Sequence, residues 1–221
     1  MIQKWKTDPV LRNCPREDVG HQKKKLMNYP DVYVEEFLNQ DPIRDWESIN
    51  RCRYLWNWCM TSLYDRWPHE TPKTWKILDC GTKDGQFPQW LRENEHEQAM
   101  GIEISEPYVD YAKGKGRPVV YGDMCNMDVS WTDNFDFVFA HHVLGLTPDY
   151  KKALEEMYRV TNNYMVALNQ VPGNPQKHYS YIGSPDIFKQ FVEDNPCEVI
   201  HNDYLDTGFK NEWVIFVRKE K

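Results

Sequence analysis

No apolar run in this chain approaches the ~18 to 20 residues that a helix needs to cross a bilayer. A membrane-spanning protein is therefore not expected. Positive charge is in deficit, with 27 Lys and Arg against 34 Asp and Glu and a net charge of −7. A field of that sign discourages bulk association with DNA or RNA, and Lys23-Lys24-Lys25 reads as a solvated stretch rather than a nucleic-acid patch. The six cysteines are scattered, with no Cys-x-x-Cys and no tight cluster. That excludes the usual zinc spacings and argues for reduced thiols. No segment has the apolar core of a secretory signal, so the expected location is the cytoplasm. Internal repeats and low-complexity tracts are missing too.

What the chain has is aromatic weight and a strand–helix rhythm. Nine tryptophans and thirteen tyrosines are many, and several lie in the first seventy residues. Residues 1–40 are polar and punctuated by proline, which predicts an irregular arm with a short helix near Val32 to Leu38. Trp46, Ile49, Arg53, Trp56, Met60, Leu63 and Trp67 then recur at spacings of three and four, predicting an amphipathic helix over 45–67. Pro68 and Pro72 end it. The expected division is an N-terminal arm and helical cap over 1–70 and a binding domain over 71–221.

From Trp75 onward, strands are predicted at 75–80, 99–104, 118–122, 135–141, 164–170, 197–204 and 212–218. Helices are predicted at 84–94, 106–113, 149–160 and 184–194, the last started by Ser184 and Pro185. This alternation implies an α/β fold, a mostly parallel seven-stranded Rossmann-like sheet with helices on both faces. Too few residues separate the last two strands for a crossover helix, so they form an antiparallel hairpin.

Trp75 to Gly85 (W-K-I-L-D-C-G-T-K-D-G) carries the most chemistry. A strand ends in Asp79, Gly81 and Gly85 make a turn, and a helix follows. Glycines allow close backbone approach, and a helix start offers free N–H groups. A second strand ends in another acid at Gly101-Ile102-Glu103-Ile104. A carboxylate there suits a ribose diol, so the pair points to a nucleoside-bearing cofactor.

Four segments together resemble the class I S-adenosylmethionine-dependent methyltransferases, within them the small enzymes related to ubiquinone and menaquinone biosynthesis. They are I-L-D-C-G-T-K-D-G-Q-F (77–87), G-I-E-I-S (101–105), Y-G-D-M (121–124), and the run from Phe135 to Val160 that contains H-H-V-L and K-A-L-E-E-M-Y-R-V. The resemblance spans about residues 75–218 and implies S-adenosyl-L-methionine as cofactor, with S-adenosyl-L-homocysteine as product. Asp79, Gly81, Lys83 and Gly85 would then hold the methionine end, Glu103 and Ile104 the ribose, and Asp123 and Met124 the adenine. His141 would border the methyl group. His141 and His142 become the catalytic candidates, one of the pair accepting a proton from the acceptor. His178, Tyr179 and Tyr181, on the long loop after the fifth strand, become candidates for acceptor contact. A small-molecule acceptor is the expected partner. Two positions depart from the family: Lys83 replaces the middle glycine of the first motif, and Gly145-Leu146 replaces Glu-His after V-L.

Other signals carry less. Pro196-Cys197 opens a strand instead of following the fourth, so it reads as structural rather than as a nucleophile. The Asp/Asn-Pro-Pro-Tyr/Phe tetrapeptide of amino methyltransferases is absent. On a strand, His141 and His142 would point apart, which disfavours chelation, and no metal is expected. Two other readings stay open: a nicotinamide-dependent oxidoreductase, against which the lack of G-x-G-x-x-G counts, and a non-catalytic module on the same fold.

Overall fold

A computed structural model describes residues 42–69, 72–174, 181–207 and 212–220. The arm at 1–40, its short helix and its lysine triplet, together with His178 and Tyr179, lie outside the described residues. In chain order the elements are α1 (Pro42–Arg66), β1 (Ile77–Cys80), α2 (Gln86–Glu93), β2 (Ala99–Glu103), α3 (Glu106–Gly114), β3 (Val119–Tyr121), β4 (Phe135–His141), α4 (Tyr150–Val160), β5 (Thr161–Gln170), α5 (Asp186–Asp194), β6 (Cys197–Tyr204) and β7 (Glu212–Lys219). The strands form one sheet in the order β3-β2-β1-β4-β5-β7-β6. Strands β1 to β5 are parallel, and β7 runs antiparallel to both β5 and β6. This is the expected architecture, hairpin included.

Side chains alternate across the sheet with period two and separate two cores. Leu78, Val138, Ala140, Met165, Ala167, Ile215 and Val217 face α4 and α5, where Ala153, Leu154, Met157, Val160, Phe188 and Phe191 meet them. Ile77, Phe137, Phe139, Tyr164, Val166, Leu168, Val214 and Phe216 face α1 and α2. Near-continuous apolar strands follow from burial on both sides. Strand β5 starts at Thr161, three residues before the expected position, because α4 ends at Val160 and the chain passes straight into the sheet. Helix α5 begins at Asp186, one residue later than its capping pattern predicts, although the Ser184 hydroxyl still accepts the Asp186 N–H at 3.2 Å.

Helix α1 differs from expectation in its seat. Its buried stripe is Cys52, Leu55, Trp56, Cys59 and Leu63, rotated from the predicted one, with Arg53 left to lie over the Trp90 ring at 4.7 Å. Through this stripe the helix joins the apolar layer on one face of β1, β4, β5 and β7. Two of its tryptophans face that layer: Trp56 meets Phe137 at 5.0 Å between ring centres, and Trp58 meets Phe216 at 6.0 Å. Near its beginning, α1 reaches the edge where ligands bind in such sheets through Ile49 and Cys52. Among the described residues no helix is long and apolar enough to cross a membrane.

Candidate functional site

Strand register decides which polar groups meet. Asp79 shares the face of Ile77, Glu103 that of Ala99, and His141 that of Phe137 and Phe139. All three therefore end up on the α1 side at the carboxyl edge. Since β7 is reversed, its first residue, Glu212, arrives at this same edge opposite Gln170, on the face of Val214 and Phe216. Glu103, Asp79, His141 and Glu212 thus form a polar row crossing β2, β1, β4 and β7.

A cleft opens in the middle of this row, lined by Ile49, Cys52, Asp79, Gly81, Lys83 and His141 among others. Its floor is the turn after β1, in which Gly81 (φ 69°), Lys83 (φ 56°) and Gly85 (φ 74°) are left-handed. At Gly81 a Cβ would lie 2.9 Å from the Cβ of Val143, so glycine is demanded on contact as well as on φ. Lys83 holds the same type of backbone without that freedom. The N–H groups of Gly81 and Thr82 donate to the Ile102 carbonyl at 2.9 and 3.2 Å, tying the turn to β2. Asp84 pairs with Arg117, which anchors the far side.

Both carboxylates are buried. Glu103 accepts the Lys83 N–H through Oε2 at 2.9 Å and the Ser105 N–H through Oε1 at 3.0 Å. Burial raises its pKa, and those backbone bonds oppose the rise. The Ile104 N–H also supports the carboxylate, which keeps capacity for a further donor. Asp79 is 4 % exposed, and no cationic side chain pairs with it among the described residues. Burial pushes its pKa up to about 7, the Thr82 hydroxyl opposes the shift, and the charge of Glu103 adds to it. Burial chiefly, then the nearby His142, Arg51 and Lys83, hold His141 well below the ordinary histidine range, so its ring is neutral. Desolvation also raises the Cys52 thiol, with Asp79 assisting, which leaves it an apolar wall and not a nucleophile.

The two histidines do not point apart. Strand β4 ends at His141, and His142 turns to φ 56°, which brings the rings edge to face at 4.6 Å. No set of three His, Cys, Asp or Glu able to hold a metal ion exists among the described residues. His142 Nε2 lies 2.7 Å from Glu212 Oε1. Asp123 follows β3 and accepts the Cys125 N–H at 2.8 Å, while the Met124 side chain is buried in the core on the α4 side rather than forming a wall of the cleft. Ile104 is half exposed beside Glu103, and Tyr181 half exposed where the chain re-enters the described region. Cys197 pairs with Lys219 at the opposite edge of the sheet, away from the cleft.

Sequence reading missed Ile49, Cys52, Thr82 and Glu212. For Glu212 a signal existed: the first residue of a reversed strand belongs to the edge where its parallel neighbours end.

Residues 78–164 match a family model described as a methyltransferase domain. The fold is that of the class I methyltransferases. A comparison of the sequence with curated proteins gives no match. Among solved structures, similarity extends to an S-adenosylmethionine-dependent methyltransferase from Aquifex aeolicus (TM-score 0.60, 17% identity, 87% of this chain and 100% of that one). It extends also to magnesium protoporphyrin IX methyltransferase from Synechocystis PCC 6803 with bound S-adenosylhomocysteine (0.57, 13%, 86% and 100%). A TehB-like methyltransferase from Corynebacterium glutamicum gives 0.57, 19%, 87% and 100%. At these identities the methyltransferases share the fold with this chain.

Proposed function

We propose that this protein is an enzyme that transfers a methyl group from S-adenosylmethionine to a small-molecule acceptor, leaving S-adenosylhomocysteine. One observation carries the reading: two buried carboxylates, Asp79 and Glu103, stand on adjacent strands at the carboxyl edge with a left-handed turn between them. The residues fit the donor. A buried acid with no cationic partner among the described residues suits the donor's ammonium group, and the remaining acceptor capacity of Glu103 suits a ribose diol. Ile104 and the backbone at Asp123 and Met124 complete the nucleoside side. The methyltransferase domain match and the bound S-adenosylhomocysteine of the Synechocystis structure support this assignment.

When bound, the donor supplies an activated methyl group on a sulfonium, so the protein's task is alignment in a water-poor pocket. Positioning alone supplies roughly 7–11 kcal/mol of barrier reduction. Asp79 and Glu103 would hold the two ends of the donor, His141 would contribute a neutral ring to the cleft wall, and Ile49 and Cys52 at the start of α1 would limit access of water. Tyr181, with His178 and Tyr179 of the same loop, is assigned to acceptor contact. The acidic charge balance favours a small acceptor over nucleic acid.

Calorimetry with S-adenosylmethionine, S-adenosylhomocysteine and NAD tests the assignment. Both adenosyl compounds bind the wild type, NAD does not, and Glu103→Ala abolishes binding. Exclusive binding of NAD overturns the reading.

A further inference from the structure

We propose that His142 is the proton acceptor of this site, that Glu212 is its positioning residue, and that the methyl acceptor is a hydroxyl or amine which must lose a proton. This rests on the donor assignment above and adds a catalytic pair on the other half of the edge. The polar row divides at β4: Glu103 and Asp79 lie toward β2 and β1, whereas His142 and Glu212 lie toward β5 and β7. His141, in the cleft wall, touches both halves, its ring 4.6 Å from that of His142.

The geometry assigns the tautomer. An ionised carboxylate only accepts hydrogen bonds, so Nε2 of a neutral His142 carries the proton that Glu212 Oε1 receives at 2.7 Å. Nδ1 is then the lone-pair nitrogen. Glu212 is 3 % exposed, and its other oxygen accepts the Thr207 hydroxyl, so the carboxylate is held on both sides. The His142 N–H donates to the Leu168 carbonyl at 2.8 Å, which fixes the backbone that presents the ring. The His142 side chain retains 28 % exposure, enough for an acceptor to reach it. His141, half-buried in the cleft wall, has, among the described residues, no carboxylate recorded on its ring and is held well below the ordinary histidine range by burial, so the base is assigned to His142.

The step balances as follows. The acceptor's O–H or N–H bond breaks, its proton passes to His142 Nδ1, and the pair left on oxygen or nitrogen forms the new bond to the methyl carbon. The carbon–sulfur bond breaks with its electrons retained by sulfur, and Glu212 offsets the imidazolium charge. Among the described residues, the titratable groups recorded against His142 are Glu212 of β7 and His141 of β4.

Two measurements test the pair. Nitrogen-15 NMR of histidine-labelled protein with S-adenosylhomocysteine bound is expected to show His142 protonated on Nε2 and bare on Nδ1. The opposite tautomer overturns the proposal without reference to turnover. Methyl-labelled S-adenosylmethionine is then incubated with wild type and variants in a small-molecule cell extract. His142→Gln is expected to lower labelling by roughly a hundredfold or more, with S-adenosylhomocysteine affinity unchanged within about twofold. Glu212→Gln is expected to lower kcat rather than raise KM and to displace the acidic limb of the pH profile, an effect that a purely structural contact would not produce. Undiminished labelling by His142→Gln overturns the assignment, as does a wild type that binds donor but labels nothing. A wild type that fails to bind S-adenosylhomocysteine removes the donor reading instead.

Discussion

Thr82 packs directly over Gly101: a Cβ on that glycine would sit 2.6 Å from the Cβ of Thr82. Gly101 lies opposite Asp79 in the β1–β2 register, so the missing side chain lets the turn fold back across β2 and hold Thr82 against the buried carboxyl. Gly101→Ala is expected to cost about 1–3 kcal/mol, since Thr82 is β-branched and cannot swing aside cheaply. Urea unfolding measures the loss. Weaker binding of S-adenosylhomocysteine should accompany it, and unchanged stability would show that the turn accommodates the methyl group.

Asp79 makes the folded state sensitive to pH in an unusual direction. Burial lifts its carboxyl to about 7 in the folded chain, from an ordinary value of 3.8. Between about pH 4 and 7 the native chain therefore binds a proton that the unfolded chain has released, and stability falls as pH rises through this window. An offset of about three units corresponds to about 4 kcal/mol lost by pH 8. Asp79→Asn is expected to flatten that slope and to melt higher than wild type at pH 8. Parallel melting curves for the two proteins from pH 4 to 8 would refute it.

Donor binding should release protons. The ammonium group placed beside Asp79 lowers its pKa, so at pH 6 the carboxyl goes from protonated to ionised on binding. Calorimetry of S-adenosylhomocysteine in buffers of different ionisation enthalpy should show up to about one proton released at pH 6 and close to none at pH 8.5. A slope of zero at pH 6 would remove Asp79 from the amine.

Lys83 occupies φ 56°, where a side chain costs roughly 1–2 kcal/mol relative to glycine. The Lys83 N–H to Glu103 is a backbone bond and survives substitution. Lys83→Gly is therefore expected to raise Tm by about 2–4 °C for each kcal/mol relieved in a protein of this size. Lys83→Ala, which keeps a Cβ in the left-handed region, should give no gain. Equal gains from both would assign the cost to the ammonium group.

The succession of strands and helices and the antiparallel closing hairpin were legible because apolar runs, turn residues and loop lengths are local signals. Asp79, Glu103 and His141 were legible for a related reason: each is the last polar residue of such a run. The seat of α1 was not legible, because Cys52 and Cys59 score no better than Trp46 or Met60 until the sheet beneath them is known. The meeting of His141 with His142 depends on a single positive φ that sequence does not announce. Contact between His142 and Glu212 spans seventy positions, and only the assembled strand order creates it.

Strand β7 is inserted between β5 and β6, and β6 has no other partner in the sheet. The penultimate strand thus depends entirely on the one made after it. Until those closing residues slot in beside β5, the half of the rim that bears Glu212 has not been built, while β1 to β5 can already assemble with one another. A lesion anywhere along Glu212–Lys219 would therefore strip two strands instead of one, leaving a five-stranded remnant that keeps Asp79 and Glu103 side by side.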